Sequence, residues 1–183
     1  ASAFLDYRNF SSDGYLTNSN LNRDNLFFKF IKPISDNTLL TVVSMQNNLH
    51  QNVPLGATLQ NIAKYGKNYG LSSDPTSQNY FGYNYDDIRG DFEYIGLSSQ
   101  QGDWKLNNKL YTYAYYHNGF YGADLGGAQP NGTGYGANNV PGFKMYMDYR
   151  SYGDVLRLSR AMGQCDLNLG AWGDRQTNRR AEW

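Results

Sequence analysis

The spacing of turn signals is the feature that most constrains this chain. Tight turns are predicted at Ser35-Asp36-Asn37, Gln101-Gly102-Asp103 and Gly163-Gln164-Cys165. They alternate with a modest loop after Phe10 and with two long loops, over roughly 50–85 and 118–148. Short turns at one end of an antiparallel array and long loops at the other are typical of transmembrane β-barrels. The chain is therefore predicted to be all-β, with its long loops gathered at one end.

Seven segments between these connections alternate apolar and polar side chains, the period of a strand with two different faces. The predicted strands lie near residues 1–10, 23–33, 37–48, 88–98, 104–117, 149–162 and 165–175. Six of them pass a test of alternation, and the third, Leu39 to Met45, is apolar on both faces. In the fourth strand, Phe92, Tyr94 and Gly96 are assigned to the apolar side.

The two sides of the predicted strands suggest two different solvents. The apolar side is expected to touch lipid, with Leu26, Phe28, Leu110 and Leu156 as its test positions. The polar side carries both signs of charge, as in a wet lumen wall with cross-strand ion pairs. It comprises Asp6, Arg8, Lys29, Asp91, Glu93, Lys105, Lys109 and Arg157.

A soluble β-sandwich, whose polar side faces water, is the alternative reading of the same pattern. Aromatic residues near the predicted strand ends favour the membrane, because interfacial girdles are built from such residues. They are Tyr7, Phe10, Trp104, Tyr116, Tyr149 and Tyr152. The chain has no apolar run of about 18 residues, so a transmembrane helix is not predicted.

Composition argues against several other classes of protein. The formal net charge is +0, which gives no indication of nucleic-acid binding. Cys165 is the one cysteine, so an intrachain disulfide is not predicted. No catalytic constellation is recognisable, and we predict no enzymatic activity, cofactor or resident metal. His50 and His117 are interpreted as polar residues at the outer ends of strands.

The loop from 48 to 87 is too long to be a passive connection. Within it, Thr58 is predicted to cap a short surface helix packed on the barrel rim, and Gly66 to end it. Aromatic residues with polar tips follow, and such residues suit the capture of an aromatic chelate or a sugar. The alternative is that they only pack against neighbouring loops. The candidate ligand-binding residues of the long loops are Tyr80, Phe81, Tyr83, Tyr85, Tyr121 and Tyr135.

Several motifs, in this order, resemble one family. Ser12-Asp13-Gly14-Tyr15 is similar to the S-D-G-Y hairpin early in the barrel of TonB-dependent outer-membrane receptors. The resemblance continues through the runs 53–66, 74–75 and 80–86, through Asp91-Phe92-Glu93-Tyr94 and Leu106-Asn107-Asn108-Lys109-Leu110-Tyr111, and into 148–154 and 172–176. It covers nearly the whole chain. Relatives often carry Arg where this chain has Leu16.

The resemblance implies a 22-stranded barrel with a plugged lumen, of which residues 1–183 would supply about a third. It also implies a location in the bacterial outer membrane and TonB-coupled import of a scarce ligand, most often a ferric siderophore. The expected partners are a small-molecule ligand such as a metal chelate, outer-membrane lipid, and the TonB energy transducer. The plug, the segment that contacts TonB and the remaining strands are expected to lie outside these residues.

Two other functions compete with import. A soluble, tyrosine-rich carbohydrate-binding β domain would bury the apolar side against a second sheet. A porin or autotransporter pore would keep the barrel without an upstream plug. The apolar side chains distinguish the first alternative from the membrane reading, because each predicts a different contact for Leu26, Phe28, Leu110 and Leu156.

Overall fold

The computed structural model describes residues 1–54, 57–77, 79–122 and 142–183. These residues form seven strands, one short α-helix and one turn of 3-10 helix at Phe81–Tyr83. The helix, α1, spans Leu59–Tyr65. The strands are β1 Ser2–Ser12, β2 Leu21–Ser35, β3 Thr38–Asn52, β4 Tyr85–Gln101, β5 Trp104–Gly122, β6 Gly142–Met162 and β7 Cys165–Glu182.

The seven described strands form one antiparallel sheet in which each strand pairs with its neighbours in sequence. The predicted strands and the three tight turns are confirmed, and most strands extend further toward the long loops than predicted. Gly102 and Gly163 occupy two of the turns with φ of 59° and 71°, a conformation that favours glycine. Within the described residues the sheet is a single layer that is not closed. The barrel prediction is therefore confirmed only as an open seven-stranded sheet, and a second facing sheet is not seen there.

Successive hairpins are offset along the sheet. Thr38, the first residue of β3, pairs with Ser99, two residues before β4 ends. Trp104, the first residue of β5, pairs with Arg160, again two residues before β6 ends. The offset is thus one residue per strand. With a rise of about 3.3 Å and a strand separation of about 4.8 Å, the three turns are level when the strands tilt by about 35°. Barrel strands typically tilt by about 35–45°.

The offset reveals a belt of apolar side chains on one face, which we call the aliphatic face. We define a level as a line that crosses the sheet from strand to strand. On each successive strand it passes through the residue one position nearer to the tight turns than the partner of the residue before it. Six consecutive levels, starting three above the turns, carry mostly apolar residues on this face, and their polar exceptions are Ser44, Glu93, Asn108 and Asp154. The belt contains Leu5, Leu26, Phe28, Phe30, Leu40, Val42, Ile95, Leu97, Leu106, Leu110, Leu156, Leu158, Leu167 and Leu169.

The belt residues are exposed or half-buried, and aromatic residues lie at both edges of the belt. Leu5 is 66% and Leu110 is 56% exposed. Trp104 lies two levels below the belt and Tyr152 two levels above it, on the same face. These two rings are separated by about 24 Å in height, since a tilted strand rises about 2.7 Å per level. An apolar band of about 25 Å between aromatic girdles is typical of transmembrane barrels.

The opposite face, the tyrosine face, carries Tyr94, Tyr111, Tyr113, Tyr115 and Tyr149. At the levels of the belt this face is mixed: it carries the polar residues Lys29, Asn107, Lys109, Arg157 and Asn168 beside apolar ones such as Phe27, Val43 and Val155. The four test positions Leu26, Phe28, Leu110 and Leu156 all lie on the aliphatic face, away from these charges.

The predicted sides of β4 are wrong. The register places Phe92 and Tyr94 on the tyrosine face, and it places Asp91 and Glu93 on the aliphatic face with Phe28. The reason is that β4 changes its apolar side as it leaves the belt. Ile95 and Leu97 supply its belt residues, whereas the aromatic residues above them point the other way. The predicted girdle is also split, because Phe10 and Tyr149 lie on the tyrosine face.

Candidate functional site

The long loop between β3 and β4 is fastened to the loop between β1 and β2. Thr17 N donates to Asn68 O at 2.9 Å, and Leu71 N donates to Thr17 O at 2.8 Å. The Asn18 side chain, whose residue has a φ of 57°, donates to Leu71 O at 3.0 Å. Leu71 is fully buried at this junction. The two loops therefore form one folded unit beyond the outer ends of the strands.

Helix α1 confirms the predicted local signals. Thr58 Oγ1 accepts a hydrogen bond from Asn61 N at 3.0 Å, which satisfies a free amide of the first turn. Gly66 ends the helix with a φ of 99° and donates its N–H to Ile62 O. None of the helix residues is buried, and Leu59 is 86% exposed, so the predicted packing on the rim is not seen in the described residues.

The predicted ligand-binding aromatics of this loop pack on one another. The rings of Tyr80 and Phe81 lie 4.6 Å apart, and those of Tyr80 and Tyr83 lie 5.1 Å apart. Tyr83 and Tyr85 both contact the ring of Phe120. The hydroxyl of Tyr83 donates to Pro75 O at 3.0 Å. These contacts are those expected if the residues pack the loops, and a role in ligand binding stays a prediction.

Asn84 anchors this aromatic cluster to the sheet. It is fully buried, and its Nδ2 donates to Tyr80 O at 2.9 Å. Its Oδ1 accepts from Gly122 N at 3.0 Å, at the end of β5. The loop aromatics are thus held at a fixed position over β4 and β5.

Tyr121 lies apart from the other predicted residues, in a polar cluster on the tyrosine face. Its hydroxyl donates to Asp86 Oδ1. The same oxygen lies 2.7 Å from His117 Nε2, and Gln51 Nε2 donates to Asp86 Oδ2 at 3.1 Å. Asp86 is 7% exposed. The side chains of Asp86 and His117 are largely shielded from water, and the carboxylate of Asp86 has three hydrogen-bonding partners. Tyr135, also predicted to bind ligand, lies outside the described residues.

The two histidines lie on opposite faces of the sheet. His50 Nδ1 lies 2.6 Å from Asp87 on the aliphatic face, whereas His117 contacts Asp86 on the tyrosine face. They therefore cannot bind one ion. Asp86 and Asp87 both lie within β4, where their side chains point to opposite faces of the sheet. No group of three or more His, Cys, Asp or Glu side chains suited to a metal occurs in the described parts of the chain.

Arg150 and Asp91 form a two-pronged ion pair above the belt on the aliphatic face. The guanidinium contacts the two carboxylate oxygens at 2.6 and 2.8 Å. Asp91 on β4 and Arg150 on β6 meet above β5. The contact is possible because the β5 residue paired with both of them is Ala114, whose side chain is small. Bidentate pairs of this kind fix strand register as well as adding energy.

A hydrogen-bonded network on the tyrosine face was not predicted. Tyr111 donates to Asp174 at 2.7 Å and accepts from Trp172 Nε1 at 2.9 Å. Ser151 also donates to Asp174, at 2.5 Å, and Gln176 Nε2 donates to Tyr113 at 2.9 Å. The signal in the sequence was the alternation of tyrosines at 111, 113 and 115 in β5, which places all three side chains on one face.

A cleft of about 690 Å³ also opens on the tyrosine face, over β1 to β4. Arg8 and Arg23 lie on one side of it, and Phe27, Met45 and Phe92 on the other. Its volume lies within the range of small-molecule sites. Sequence reasoning missed this cleft because its residues come together only through the register of four strands.

Comparisons with known proteins identify no relative. No family model, curated protein or solved structure matches the chain. None of the described helices is long and apolar enough to cross a membrane.

Proposed function

We propose that the chain is part of the barrel of a TonB-dependent outer-membrane receptor, which imports a scarce ligand such as a ferric siderophore into bacteria. In this proposal the aliphatic face contacts lipid and the tyrosine face lines the lumen. The folded loops lie at the extracellular side, and the tight turns lie in the periplasm. The energy transducer TonB acts through segments outside these residues.

The partly exposed apolar belt is the observation that carries the proposal. Its residues form a level band only when the strands are tilted by about 35°, within the range for barrels. Water-exposed leucines in a continuous band of this size are costly for a soluble protein, since each buried side chain of this type contributes about 1.5–3 kcal/mol. Lipid removes that cost, and the polar residues at the same levels on the tyrosine face remain in water.

The length of the strands supports the same orientation. A strand crosses the membrane in about 9–11 residues, whereas β6 has 21. Its outer half therefore extends beyond the belt and carries the loops outward. There the aliphatic face becomes polar and the tyrosine face becomes aromatic, as suits a wall that has water outside and a ligand inside.

Lipid-phase photolabelling of the chain in bilayers tests the membrane contact. We expect label on Leu110 and Leu156 and not on Lys109 or Tyr111, the neighbours of Leu110 on the opposite face. Equal labelling of Leu110 and Lys109, or full solubility as a detergent-free monomer, would contradict the proposal.

Uptake by cells that carry the intact gene tests the transport step. We expect energy-dependent accumulation of a ferric chelate, which is lost when TonB is removed. A ligand titration with Tyr83→Ala tests the loop aromatics, and unchanged affinity would remove them from the binding site without affecting the barrel.

A carbohydrate-binding β domain is the second candidate, and one observation favours it. Trp172 is 70% exposed on the tyrosine face, and its ring is fixed through the hydroxyl of Tyr111. Fixed aromatic rings beside hydrogen-bonding groups suit recognition of sugars. This function predicts glycan binding by a detergent-free chain, which the labelling experiment distinguishes from the first proposal.

A further inference from the structure

The cleft over β1 to β4 has an open floor at Gly90. In its row across the sheet, Arg8, Asn25, Asn47 and Gly90 are paired in succession, and only the last lacks a side chain. A Cβ placed on Gly90 would meet only Ala114 O at 3.5 Å, which is an ordinary contact. The space above Gly90 is therefore left open by the absence of a side chain.

One wall of the cleft is mostly apolar, with Asp6 at its β1 end. Phe27, Met45 and Phe92 are paired across three strands in the row below Gly90, and all three line the cleft. Phe27 is held by an edge-to-face contact with Phe4 at 6.0 Å. The ring centre of Phe92 lies 6.0 Å from that of Tyr94. A surface built from two aromatic rings and a thioether favours a planar apolar group.

The opposite wall carries two guanidinium groups. Arg8 and Arg23 are diagonal neighbours on β1 and β2, about 7–8 Å apart at their backbones. Arg23 Nε donates to Asn47 Oδ1 at 2.7 Å, and Asn47 also accepts from Asn25 at 2.8 Å. This contact orients the guanidinium and leaves its terminal amino groups as donors for a ligand.

The charge of this wall is not fully balanced. Arg8 Nη2 lies 2.9 Å from Asp6 Oδ2, and this carboxylate, which also lines the cleft, balances one of the two guanidinium charges. Among the described residues, Arg23 has no carboxylate within ion-pair distance. A forked guanidinium held by an uncharged partner is a strong donor for carboxylate or a similar oxyanion.

From these features we propose that the cleft binds an amphipathic organic anion, with a planar apolar body on Phe27 and Phe92 and its anionic group on Arg23. This assignment goes beyond the transport proposal, because it names a second site and the chemical class of its ligand. It rests on that proposal only in placing the site on the lumen side.

Direct binding by the whole chain in detergent micelles tests the inference. The probes are 1-naphthoate, the neutral 1-naphthalenemethanol and the cationic 1-naphthylmethylamine, followed by saturation-transfer NMR and calorimetry. We expect naphthoate to bind at least about tenfold more tightly than either analogue, because a hydrogen bond between a guanidinium and a carboxylate is about twice as strong as one between neutral groups. Equal affinity for the anion and the neutral analogue would overturn the proposal.

Two variants locate the binding. Arg23→Gln should remove most of the preference for the anion, and Gly90→Leu should abolish binding of all three probes by filling the cleft. Gly170→Leu is the matched control, because Gly170 lies on the same face in β7 with its nearest atom at 3.7 Å. Unchanged binding in Gly90→Leu would also overturn the proposal. Transport is not measured in these experiments, so their failure would leave the receptor proposal standing.

Discussion

At the scale of single residues, glycines on the tyrosine face make room for aromatic rings. Gly153 lies opposite Tyr111, and a Cβ on this glycine would come within 2.3 Å of the tyrosine ring. The ring therefore lies flat over the glycine and reaches Asp174 and Trp172 on β7. One missing side chain thus permits a contact that spans three strands.

Gly153→Val should displace Tyr111 and break both of its hydrogen bonds. We expect a loss of about 1–3 kcal/mol of stability, the usual cost of overpacking. Chemical unfolding measures it, and a change in tryptophan fluorescence reports the release of Trp172. Gly173→Val is the control, because nothing lies within 4 Å of its Cβ position. Equal destabilisation by both variants would contradict this role for Gly153.

Asp74 gives the long loop a dependence on pH. Its carboxylate accepts hydrogen bonds from Thr76 Oγ1 at 2.7 Å and Thr76 N at 2.9 Å, and these lower the pKa of Asp74. A lowered pKa stabilises the folded loop above the ordinary range of aspartate, and this stabilisation is lost as the pH falls through the lowered pKa.

Hydrogen exchange of residues 72–77 measures this effect. We expect protection to fall as the pH is lowered below the ordinary aspartate range, after correction for the intrinsic exchange rate. Asp74→Asn should remove this dependence. If the variant loses protection over the same pH interval as the native chain, another group must be responsible.

At the scale of elements, the two faces of one strand are predicted to tolerate charge differently. Leu169 and Asn168 are adjacent in β7, both exposed, with Leu169 on the aliphatic face and Asn168 on the tyrosine face. In bilayers, Leu169→Arg should cost up to about 2–4 kcal/mol, whereas Asn168→Arg should cost little.

Folding into vesicles, followed by denaturant titration, measures the difference between these two variants. The two residues are adjacent in the sequence and both are exposed, so the comparison isolates the solvent at each face. A smaller cost for Leu169→Arg than for Asn168→Arg would mean that the aliphatic face does not contact hydrocarbon.

Signals within short segments of the sequence predicted the strands and the helix well. The sequence did not predict how neighbouring strands and loops are arranged relative to one another. Thr58 and Gly66 were identified because a helix cap depends on residues three or four apart. The sides of β4 were assigned wrongly because alternation within a strand does not say which side joins the neighbouring strands. The cleft at Gly90 and the contact of Thr17 with Asn68 depend on register and loop folding, which no short segment encodes.

At the scale of the whole molecule, the offset between hairpins predicts the orientation of the strands in a membrane. Polarised infrared spectroscopy of the chain in aligned bilayers should give a mean strand tilt of about 35° from the membrane normal. The amide dichroism measures this angle directly, with the unaligned sample as its control. Strands lying within about 10° of the normal would contradict a barrel with this offset.

The reversal of polarity between the lower and upper halves of the sheet has a consequence for vertical placement. Pushing the protein inward by two levels, about 5 Å, would submerge Asp24 and Asp91 in hydrocarbon, and drawing it outward would expose Phe30 and Leu158 to water. Both displacements are opposed, so the proposed membrane location predicts one preferred depth for the sheet. In the proposed receptor, a ligand that meets the outer rim would then always start its descent from the same height above the bilayer.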